Sequence, residues 1–403
     1  METADRKTIL VFSFTDHASD PHENRQIRYL NDAYHVISVG LGDPGIDGVR
    51  FHSAFRTPSG SRRGRLRKAF REKAWKGLLM QLFHECRNLF DLGLRRYESY
   101  YWNKTYIQEA LQVLSSLKFD LIIAHDIETL PVALRASGRA RVIFDAHEYY
   151  PGDHAGLFWK GFHRPFIGYL CRKFLPQADG VFTVCESIAE AYRKEFDVNS
   201  QILMNTPDYH SLPVKPTDPE RIRIVHHGAV MEDRKIETMI EVMQYLDKRF
   251  EMDLILIGGK SRTLKKIRKK AAAHPNIRFL EPVPMMDIVS FCSQYDIGLF
   301  LLPPTNFNYR VALPNKFFEF IQSRLALAIG PSVEMEKIVK QWDCGVIAES
   351  FEPDAMASKL NQLDAEQIDR MKMNSHRIAR QFSSEENRNR LMSRISELLQ
   401  KKE

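Results

Sequence analysis

The feature that most constrains the fold is an alternation of short β-branched runs with longer amphipathic segments, which occurs twice along the chain. Such alternation predicts βα units and a parallel sheet. The first series has predicted strands at Thr8–Phe14, Val36–Val39, Leu121–Ala124, Arg141–Asp145 and Val181–Val184. The second has predicted strands at Arg223–His226, Leu254–Ile257, Ile277–Leu280, Ile297–Leu301 and Ala326–Ile329. The sequence therefore predicts an α/β protein with two similar halves.

The length of 403 residues suits two domains, because one hydrophobic core rarely grows to that size. Residues 205–219 contain four prolines and few apolar residues, as an interdomain linker does. We place an N-terminal domain at 1–206 and a C-terminal domain at 207–382. A helix at 383–403, with Ser383 as its cap and acids in its first turn, is expected to pack back toward the N-terminal domain.

An insertion at about residues 52–118 does not follow the alternation. Between Arg56 and Lys76 it is rich in Lys and Arg and contains the single acid Glu72. An apolar helical stripe from Trp75 to Phe90 follows, and then the aromatic run at 97–102. We expect residues 56–102 to bind an anionic membrane surface. The alternative is a solvated loop over a helix that packs on its own domain.

The sequence contains no apolar run of about 18 residues, the minimum for a membrane span. The apolar run at Thr8–Phe14 is too short for a signal peptide. The five cysteines are scattered and lack the spacing of metal ligands, which is typical of buried thiols in a reducing compartment. These features favour a cytoplasmic protein, peripheral on the inner face of the cytoplasmic membrane if the insertion binds lipid, with no bound metal.

Two segments of the second half have the character of phosphate sites. Gly228 ends a predicted strand, and Arg234 and Lys235 precede the next predicted helix, where backbone amides favour anions. Asn315 and Lys316 stand at another predicted helix start, with Glu319 one turn later to accept hydrogen bonds from a ribose diol. The alternative is that the side chains of Arg234 and Lys235 are simply solvated and bind no phosphate.

The motifs of both halves together resemble one family. The segments HHGAVMEDRKIETMIEVMQYL, FLEPVPMMDIVSFCSQYDIGLFLLPP and ALPNKFFEFIQSRLALAIGPS are similar to the donor-binding domain of the family-4 retaining glycosyltransferases. The segments FDLIIAHDIETLPVAL, RVIFDAHEYYP, ADGVFTVCESIAEAY and ILMNTPD resemble its acceptor domain. The resemblance implies the GT-B fold, in which two Rossmann-like domains face each other across a cleft. It also implies transfer from a nucleotide-diphosphate sugar, as co-substrate and without a cofactor or obligatory metal, with retention of configuration.

The resemblance also implies roles for particular residues. His147 would reach the donor sugar and its diphosphate, while the role of His125 is left open between the acceptor side and loop packing. Lys235, with Arg234 and Gly228, would hold the donor phosphates, and Glu319 would bind the ribose. The remaining donor contacts implied are the backbone at Val283 and Pro284, beside the base, and the amides of Asn315 and Lys316. His147, Lys235 and Glu319 are the expected catalytic residues.

Two positions depart from the family pattern. Val311 stands where many members have a carboxylate eight residues before Glu319, and Ala229 stands where many have an arginine after the turn glycine. These departures favour one alternative, a catalytically degenerate GT-B scaffold subunit; the other alternative is a GT-B nucleotide-sugar epimerase, which would share the donor site. The cations of 260–270 lack interleaved aromatic rings, so no nucleic-acid partner is expected. The expected partners are the donor and a glycan or lipid-linked acceptor.

Overall fold

The computed structural model describes residues 6–55, 90–152, 156, 159–258 and 262–400. The chain divides into two compact units. The first comprises Met1–Thr183, Ala189–Ile202 and Met392–Glu403, and the second comprises Val184–Ile188 and Leu203–Leu391. Each unit contains its own parallel sheet.

The first unit contains a seven-stranded sheet in the order β3-β2-β1-β4-β5-β6-β7, with every ladder parallel. The strands are β1 Thr8–Phe12, β2 His35–Gly40, β3 Arg50–Ser53, β4 Leu121–His125, β5 Arg141–Ala146, β6 Gly180–Thr183 and β7 Gln201–Ile202. The central strands β1, β4 and β5 are almost entirely buried, because helices cover both faces of a parallel sheet.

The helices of this part of the chain are α1 Pro21–Asn31, α2 Tyr97–Trp102, α3 Thr105–Ser115, α4 Leu130–Ala136, α5 Arg164–Phe174 and α6 Glu186–Phe196. Their buried faces carry residues such as Ile27, Ile107 and Leu170, each without exposed surface. These faces supply the apolar area that stabilises the sheet.

The second unit contains a six-stranded sheet in the order β10-β9-β8-β11-β12-β13, again with every ladder parallel. The strands are β8 Ile222–Ala229, β9 Phe250–Ile257, β10 Ile277–Leu280, β11 Ile297–Phe300, β12 Ala326–Ile329 and β13 Gly345–Ile347. The helices are α7 Ile236–Val242, α8 Arg262–Ala271, α9 Ile288–Cys292, α10 Phe307–Arg310, α11 Asn315–Gln322, α12 Val333–Trp342, α13 Pro353–Asn361, α14 Ala365–Ile378 and α15 Ser384–Gln400.

A buried ion pair ties the second sheet to α14. Lys372 Nζ lies 2.8 Å from Asp296 Oδ1 and 3.1 Å from the hydroxyl of Thr217. Asp296 Oδ2 also accepts the backbone amide of Arg223 at 2.9 Å, at the start of β8. Both side chains of the pair are almost fully buried. Burying either charge without the other would be costly, so each charge depends on its partner.

Both sheets have the doubly wound strand order, which confirms the predicted fold class. In this order the connections reverse direction between β1 and β4 in the first unit and between β8 and β11 in the second. Ligands of open α/β sheets bind beside the carboxyl ends of the strands at such a reversal. The loops after β1, β4, β5, β8 and β11 are therefore the places to look for a site.

The predicted strands are all present, with small differences at their ends, and the short strands β3, β7 and β13 were not predicted. Residues 56–89, which include the predicted basic cluster and most of the apolar stripe, lie outside the described part of the chain. Of the five cysteines, the four in the described ranges are buried and form no disulfide. Among the described helices, none has both the length and the apolar character needed to cross a bilayer.

Candidate functional site

The first candidate site lies where α1 meets the carboxyl ends of β4 and β5. Asp20 caps α1 by accepting hydrogen bonds from the amides of His22 and Glu23, and Pro21 occupies the first turn. The helix thus begins with polar residues on its buried face: His22, Glu23 and Gln26. Each needs a hydrogen-bond partner, because an unsatisfied buried polar group costs about 1 to 3 kcal/mol.

The partners come from the strand ends. His22 Nε2 lies 3.0 Å from Asp145 Oδ2, and Gln26 Nε2 donates to the same oxygen at 2.9 Å. Gln26 Oε1 lies 2.8 Å from Nε2 of His125, and Nδ1 of His125 lies 3.0 Å from Nε2 of His147. We call these five residues the histidine cluster. His147, which is half-buried, is its most exposed member.

Charge is unevenly distributed within the histidine cluster. Burial alone would raise the pKa of Asp145, but His22, and then His125 and His147, hold that pKa well below its usual range. Burial lowers the pKa of His125 far below that of a free imidazole, although Asp145 opposes the shift. At neutral pH, Asp145 is therefore an ionised carboxylate and His125 a neutral ring.

The histidine cluster also has the composition of a metal site. The ligand atoms of His22, His125, Asp145 and His147 lie within 4.8 Å of one another, the one such group found among the described residues. Three imidazoles and a carboxylate are ligands that zinc accepts. The contacts of His22 with Asp145 and of His125 with His147, both 3.0 Å, are equally well explained by one hydrogen in each. These two pairs are therefore satisfied without a metal, whereas Asp145 Oδ1 is buried and has no hydrogen-bond partner among the described residues.

A second buried group lies beside the end of β1. Glu23 Oε2 accepts hydrogen bonds from Ser13 at 2.9 Å and Thr15 at 2.7 Å, and it lies 3.3 Å from His17 Nε2. Burial, and then the carboxylate of Asp20, raise the pKa of Glu23 to about 8. Burial lowers the pKa of His17 to about 4. The pair therefore contains a neutral imidazole and a readily protonated carboxyl, and it anchors α1 to β1.

The second candidate site lies at the carboxyl end of β8. Gly228 there has a φ of 135°, which residues with side chains rarely adopt. A Cβ added at this position would lie 2.6 Å from Nζ of Lys316, in the first turn of α11. The same ammonium lies 4.7 Å from the ring centroid of Phe300, at the end of β11. Glycine is favoured at 228 by this φ, and any side chain there would also displace the end of the Lys316 side chain.

Lys316 is a cation held in a dry environment. Burial, and then the charge of Arg234, lower its pKa to about 7, while Glu319 opposes the shift. The pocket therefore holds a lysine that is only partly charged at neutral pH. An anion placed beside Lys316 and Arg234 would favour the charged form of the lysine, since opposite charges raise the pKa of an amine.

Two histidines precede Gly228 on β8. His227 Nε2 lies 3.5 Å from Glu319 Oε2, and burial, followed by the charge of Lys316, lowers the pKa of His227 to about 3. This ring is neutral at physiological pH, so its contact with Glu319 is not an ion pair. His226 donates from Nδ1 to the carbonyl of Leu299 at 3.0 Å, which joins β8 to β11 at the site.

The turn after β8 carries the two predicted phosphate-binding cations. Arg234 is half-buried and close enough to Lys316 to lower its pKa, whereas Lys235 is exposed. Lys235 adopts a left-handed conformation with a φ of 49° at the start of α7. Such backbone strain in a residue with a side chain is often found at functional positions. Tyr309 holds the turn by donating to Asp233 Oδ2 at 2.6 Å.

The structure brings together some, but not all, of the predicted site residues. Gly228, Lys316, Glu319 and Arg234 form one cationic pocket, and Asn315 is the half-buried first residue of α11 beside it. Val283, half-buried, and Pro284, exposed, follow the edge strand β10. Among the described residues, no hydrogen bond or ion pair joins them to the pocket. His147 belongs to the first unit.

Sequence reasoning missed several residues of both sites. His22 and Gln26 were not singled out, because polar residues at the start of a helix usually face solvent. The available signal was their position directly after a cap, at a spacing that places both on one face of the helix. His227 and Phe300 were missed because a strand of a parallel sheet is buried on both faces, so alternation does not reveal which side chains face a site.

Two family profiles match the chain. The profile described as Glycosyltransferase Family 4 matches residues 47–203, and the profile described as Glycosyl transferases group 1 matches residues 221–365. Together they cover about three quarters of the chain. The chain belongs to the family-4 glycosyltransferases. The family predicted from the motifs is thereby confirmed, and glycosyl transfer is the established class of activity of this family.

Several solved structures share the fold of this family-4 glycosyltransferase. HepE of Anabaena, in complex with UDP and glucose, aligns with a TM-score of 0.67 at 13% identity over 97% of this chain and 100% of HepE. WaaG, a glycosyltransferase involved in lipopolysaccharide biosynthesis, aligns with a TM-score of 0.61 at 11% identity over 94% of this chain and 96% of WaaG.

A third structure is longer than this glycosyltransferase. TarM of S. aureus, in complex with fondaparinux, alpha-GlcNAc-glycerol and UDP, aligns with a TM-score of 0.60 at 14% identity over 74% of this chain. The alignment spans 59% of TarM. At these identities the likeness establishes the GT-B fold alone. Comparison with curated protein sequences finds no match.

Proposed function

We propose that this glycosyltransferase moves a sugar from a nucleotide-diphosphate donor to a surface-polysaccharide or lipid-linked acceptor, with retention of configuration. The observation that carries the proposal is the cationic pocket of the second unit. There the buried Lys316 lies against Gly228 and within electrostatic reach of Arg234. A pocket that holds a half-neutral lysine next to an arginine is suited to an anion with more than one charge.

The proposed role of this pocket is to stabilise the leaving nucleotide diphosphate. Negative charge grows on the diphosphate as the glycosidic bond breaks, and preorganised cations and amides aimed at that charge lower the barrier. Lys316, Arg234 and Lys235 would supply the cations, and the first amides of α11 at Asn315 would supply hydrogen bonds. Because these groups belong to the protein, the proposal requires no metal ion at the diphosphate.

Glu319 is proposed to hold the ribose of the donor. Its carboxylate is almost fully buried one turn after Lys316, and its neighbour His227 is neutral. A buried carboxylate beside a neutral ring keeps its capacity to accept hydrogen bonds from a diol. Val283 and Pro284 are proposed to border the base.

His147 is proposed to contact the transferred sugar. The histidine cluster holds its Nε2, and its half-buried ring is the member of the cluster most accessible to a ligand. The crystal structure of HepE contains UDP and glucose, and that of TarM contains UDP and alpha-GlcNAc-glycerol. These ligands support UDP as the first nucleotide to test with this enzyme.

The acceptor is proposed to lie at an anionic membrane surface, which residues 56–102 would bind from the cytoplasmic side. Support comes from the cations between Arg56 and Lys76 and the apolar residues that follow. Each Lys or Arg near such a surface contributes about 1 kcal/mol to binding. WaaG, of the same fold, is described as acting in lipopolysaccharide biosynthesis.

The test is the Lys235→Ala variant, with Lys248→Ala, another exposed lysine of the second unit, as the matched control. We expect acceptor-dependent release of nucleotide to fall by about 100-fold or more in the first variant, since one group that stabilises developing charge is worth that much. The control should keep wild-type activity, and both variants should melt like the wild type. Full turnover by Lys235→Ala would remove the assigned role. Donor binding without any turnover in the wild type would favour the degenerate subunit.

A further inference from the structure

The side-chain amide of Gln26 connects the carboxylate of the histidine cluster to its imidazoles. One end of the amide, Nε2, lies 2.9 Å from Asp145 Oδ2, and the other end, Oε1, lies 2.8 Å from Nε2 of His125. Gln26, Asp145 and His125 are all buried, so water does not compete for these contacts. The direction of each hydrogen bond can therefore be deduced.

The deduction starts at the carboxylate. Ionised Asp145 only accepts hydrogen bonds, so the Gln26 amide must turn its N–H group toward it. Its carbonyl oxygen then faces His125, and this oxygen can only accept. Nε2 of His125 must therefore carry the hydrogen. Since the ring of His125 is neutral, its Nδ1 carries a lone pair.

The same reasoning continues to His147. Nδ1 of His125 lies 3.0 Å from Nε2 of His147, and a lone pair at that distance requires a hydrogen on the His147 nitrogen. At a pH at which an imidazole is neutral, the ring of His147 then carries its lone pair on Nδ1. In the described part of the chain, no side chain or backbone group forms a hydrogen bond with this atom.

We propose that Gln26 is a positioning residue that, through His125, holds His147 as the Nε2–H tautomer, so that Nδ1 of His147 accepts a hydrogen bond from a hydroxyl of the transferred sugar. The sugar contact rests on the function proposed above. The other tautomer would present an N–H group at Nδ1, which can only donate, either to the oxygen of a hydroxyl or to a phosphate oxygen. Gln26 thus determines that Nδ1 of His147 accepts, which permits a bond from a hydroxyl and disfavours a phosphate oxygen.

Gln26 can be replaced while the carboxylate of Asp145 keeps a hydrogen-bond partner. Asp145 keeps a second donor, His22 Nε2, at 3.0 Å. The ring of His22 also contacts that of His147 edge to face, with centroids 4.6 Å apart. Methionine has nearly the volume of glutamine and no hydrogen-bonding amide, so Gln26→Met removes the polarity of the link and keeps its bulk.

The tautomer can be measured directly in the full-length protein. Selective ¹⁵N labelling of histidine separates protonated from unprotonated ring nitrogens by chemical shift, and His147→Asn assigns the signals of His147. At a pH of about 8.5, where an ordinary imidazole is neutral, we expect the wild type to show Nε2–H and unprotonated Nδ1. Gln26→Met should show a mixture of tautomers at His147. Gln108→Met, at an exposed glutamine of α3, should leave them unchanged.

Three outcomes would overturn the proposal. The first is an Nδ1–H tautomer at His147 in the wild type, and the second is an unchanged tautomer in Gln26→Met. The third is tight binding of one Zn²⁺ per chain, with loss of the His125 and His147 N–H signals, because a metal would replace the hydrogen between these rings. None of these readouts requires transferase activity. The tautomer assignment can therefore be refuted independently of the proposed function.

Kinetics test the consequence for the donor. We expect Gln26→Met to lower kcat/KM for the sugar donor about tenfold, the value of one hydrogen bond. Binding of free UDP, which has no sugar, should be unchanged. Equal weakening of UDP and of the sugar donor would contradict the assignment of His147 to the sugar hydroxyl.

Discussion

Binding of the donor should take up a proton at Lys316. In the free protein, burial and the charge of Arg234 lower the pKa of Lys316 to about 7. A diphosphate beside the ammonium raises that pKa again, because the charged amine then has an opposite charge nearby. Only the charged lysine binds the diphosphate well, so the affinity depends on the fraction of lysine that is already protonated.

The direction and the size of the change in donor affinity with pH follow from that pKa. Below pH 7 the free lysine is charged and no proton need be added, so affinity is at its maximum. Above pH 7 a proton must be taken up, and affinity falls until the pKa of the complex is reached. A group with a pKa of about 7 is about 90% protonated at pH 6 and about 10% at pH 8, so the dissociation constant should rise roughly tenfold between them.

Isothermal titration calorimetry with UDP-glucose checks this expectation, because its diphosphate has no group that titrates in this range. Repeating the titration in buffers of different ionisation enthalpy counts the protons taken up. At pH 7 the count should be about half a proton, the unprotonated fraction of a group at its pKa. His227 will not contribute, since its pKa of about 3 leaves it neutral throughout.

Lys316→Met is the decisive variant. It should bind UDP-glucose weakly and with no proton uptake, while Lys248→Met should behave as the wild type. A wild-type affinity that is constant from pH 6 to pH 8, with no proton taken up, would refute the argument. It would mean that the lysine is already fully charged in the free pocket or does not meet the diphosphate.

Three further outcomes are expected. Gly228→Ala should weaken UDP-glucose binding and lower the Tm by several degrees, because a φ of 135° is strained for alanine and the Cβ would displace the ammonium of Lys316; Gly138→Ala, with a φ of 58° and no neighbour within 4 Å, shows the smaller effect of a left-handed φ in open space. Lys372→Met should destabilise the protein by about 3 to 5 kcal/mol in urea denaturation, since it leaves Asp296 buried without its cation, and adding Asp296→Asn should recover part of that loss. Vesicles with anionic lipid should bind the protein at low salt, and replacing the Lys and Arg of 56–76 by Gln should abolish the binding; protein that stays in solution at low salt would exclude the membrane role.

Much of the fold could be predicted because it depends on local pattern. Strands such as Ile277–Leu280 and Ala326–Ile329 have the predicted ends, since turn residues and neighbouring helices mark both sides of each run. The strands Arg50–Ser53 and Gln201–Ile202 were missed because they are short edge strands with exposed or half-buried polar residues. Their pairing is decided by the neighbouring strand, which a local pattern does not reveal.

The candidate site was predictable where backbone and residue type act together. Gly228 and Lys316 were both chosen from turn and helix-start chemistry, and the structure places one against the other. The partners of Gln26 were not foreseeable, because His125 and Asp145 are 99 and 119 residues away along the chain. Contacts at that separation are set by strand order.

The sequence by itself determined the alternation of strands and helices, the two halves and the family, because these follow from periodicity and from motifs that keep their spacing. The tertiary structure alone decided the chemical state of the side chains. Lys316 is half-neutral, and His125 is neutral next to an ionised Asp145, because burial and neighbours from distant segments set the free energy of each charge. Solvation and electrostatic energies depend on the three-dimensional surroundings of each group, which a local sequence pattern does not reveal.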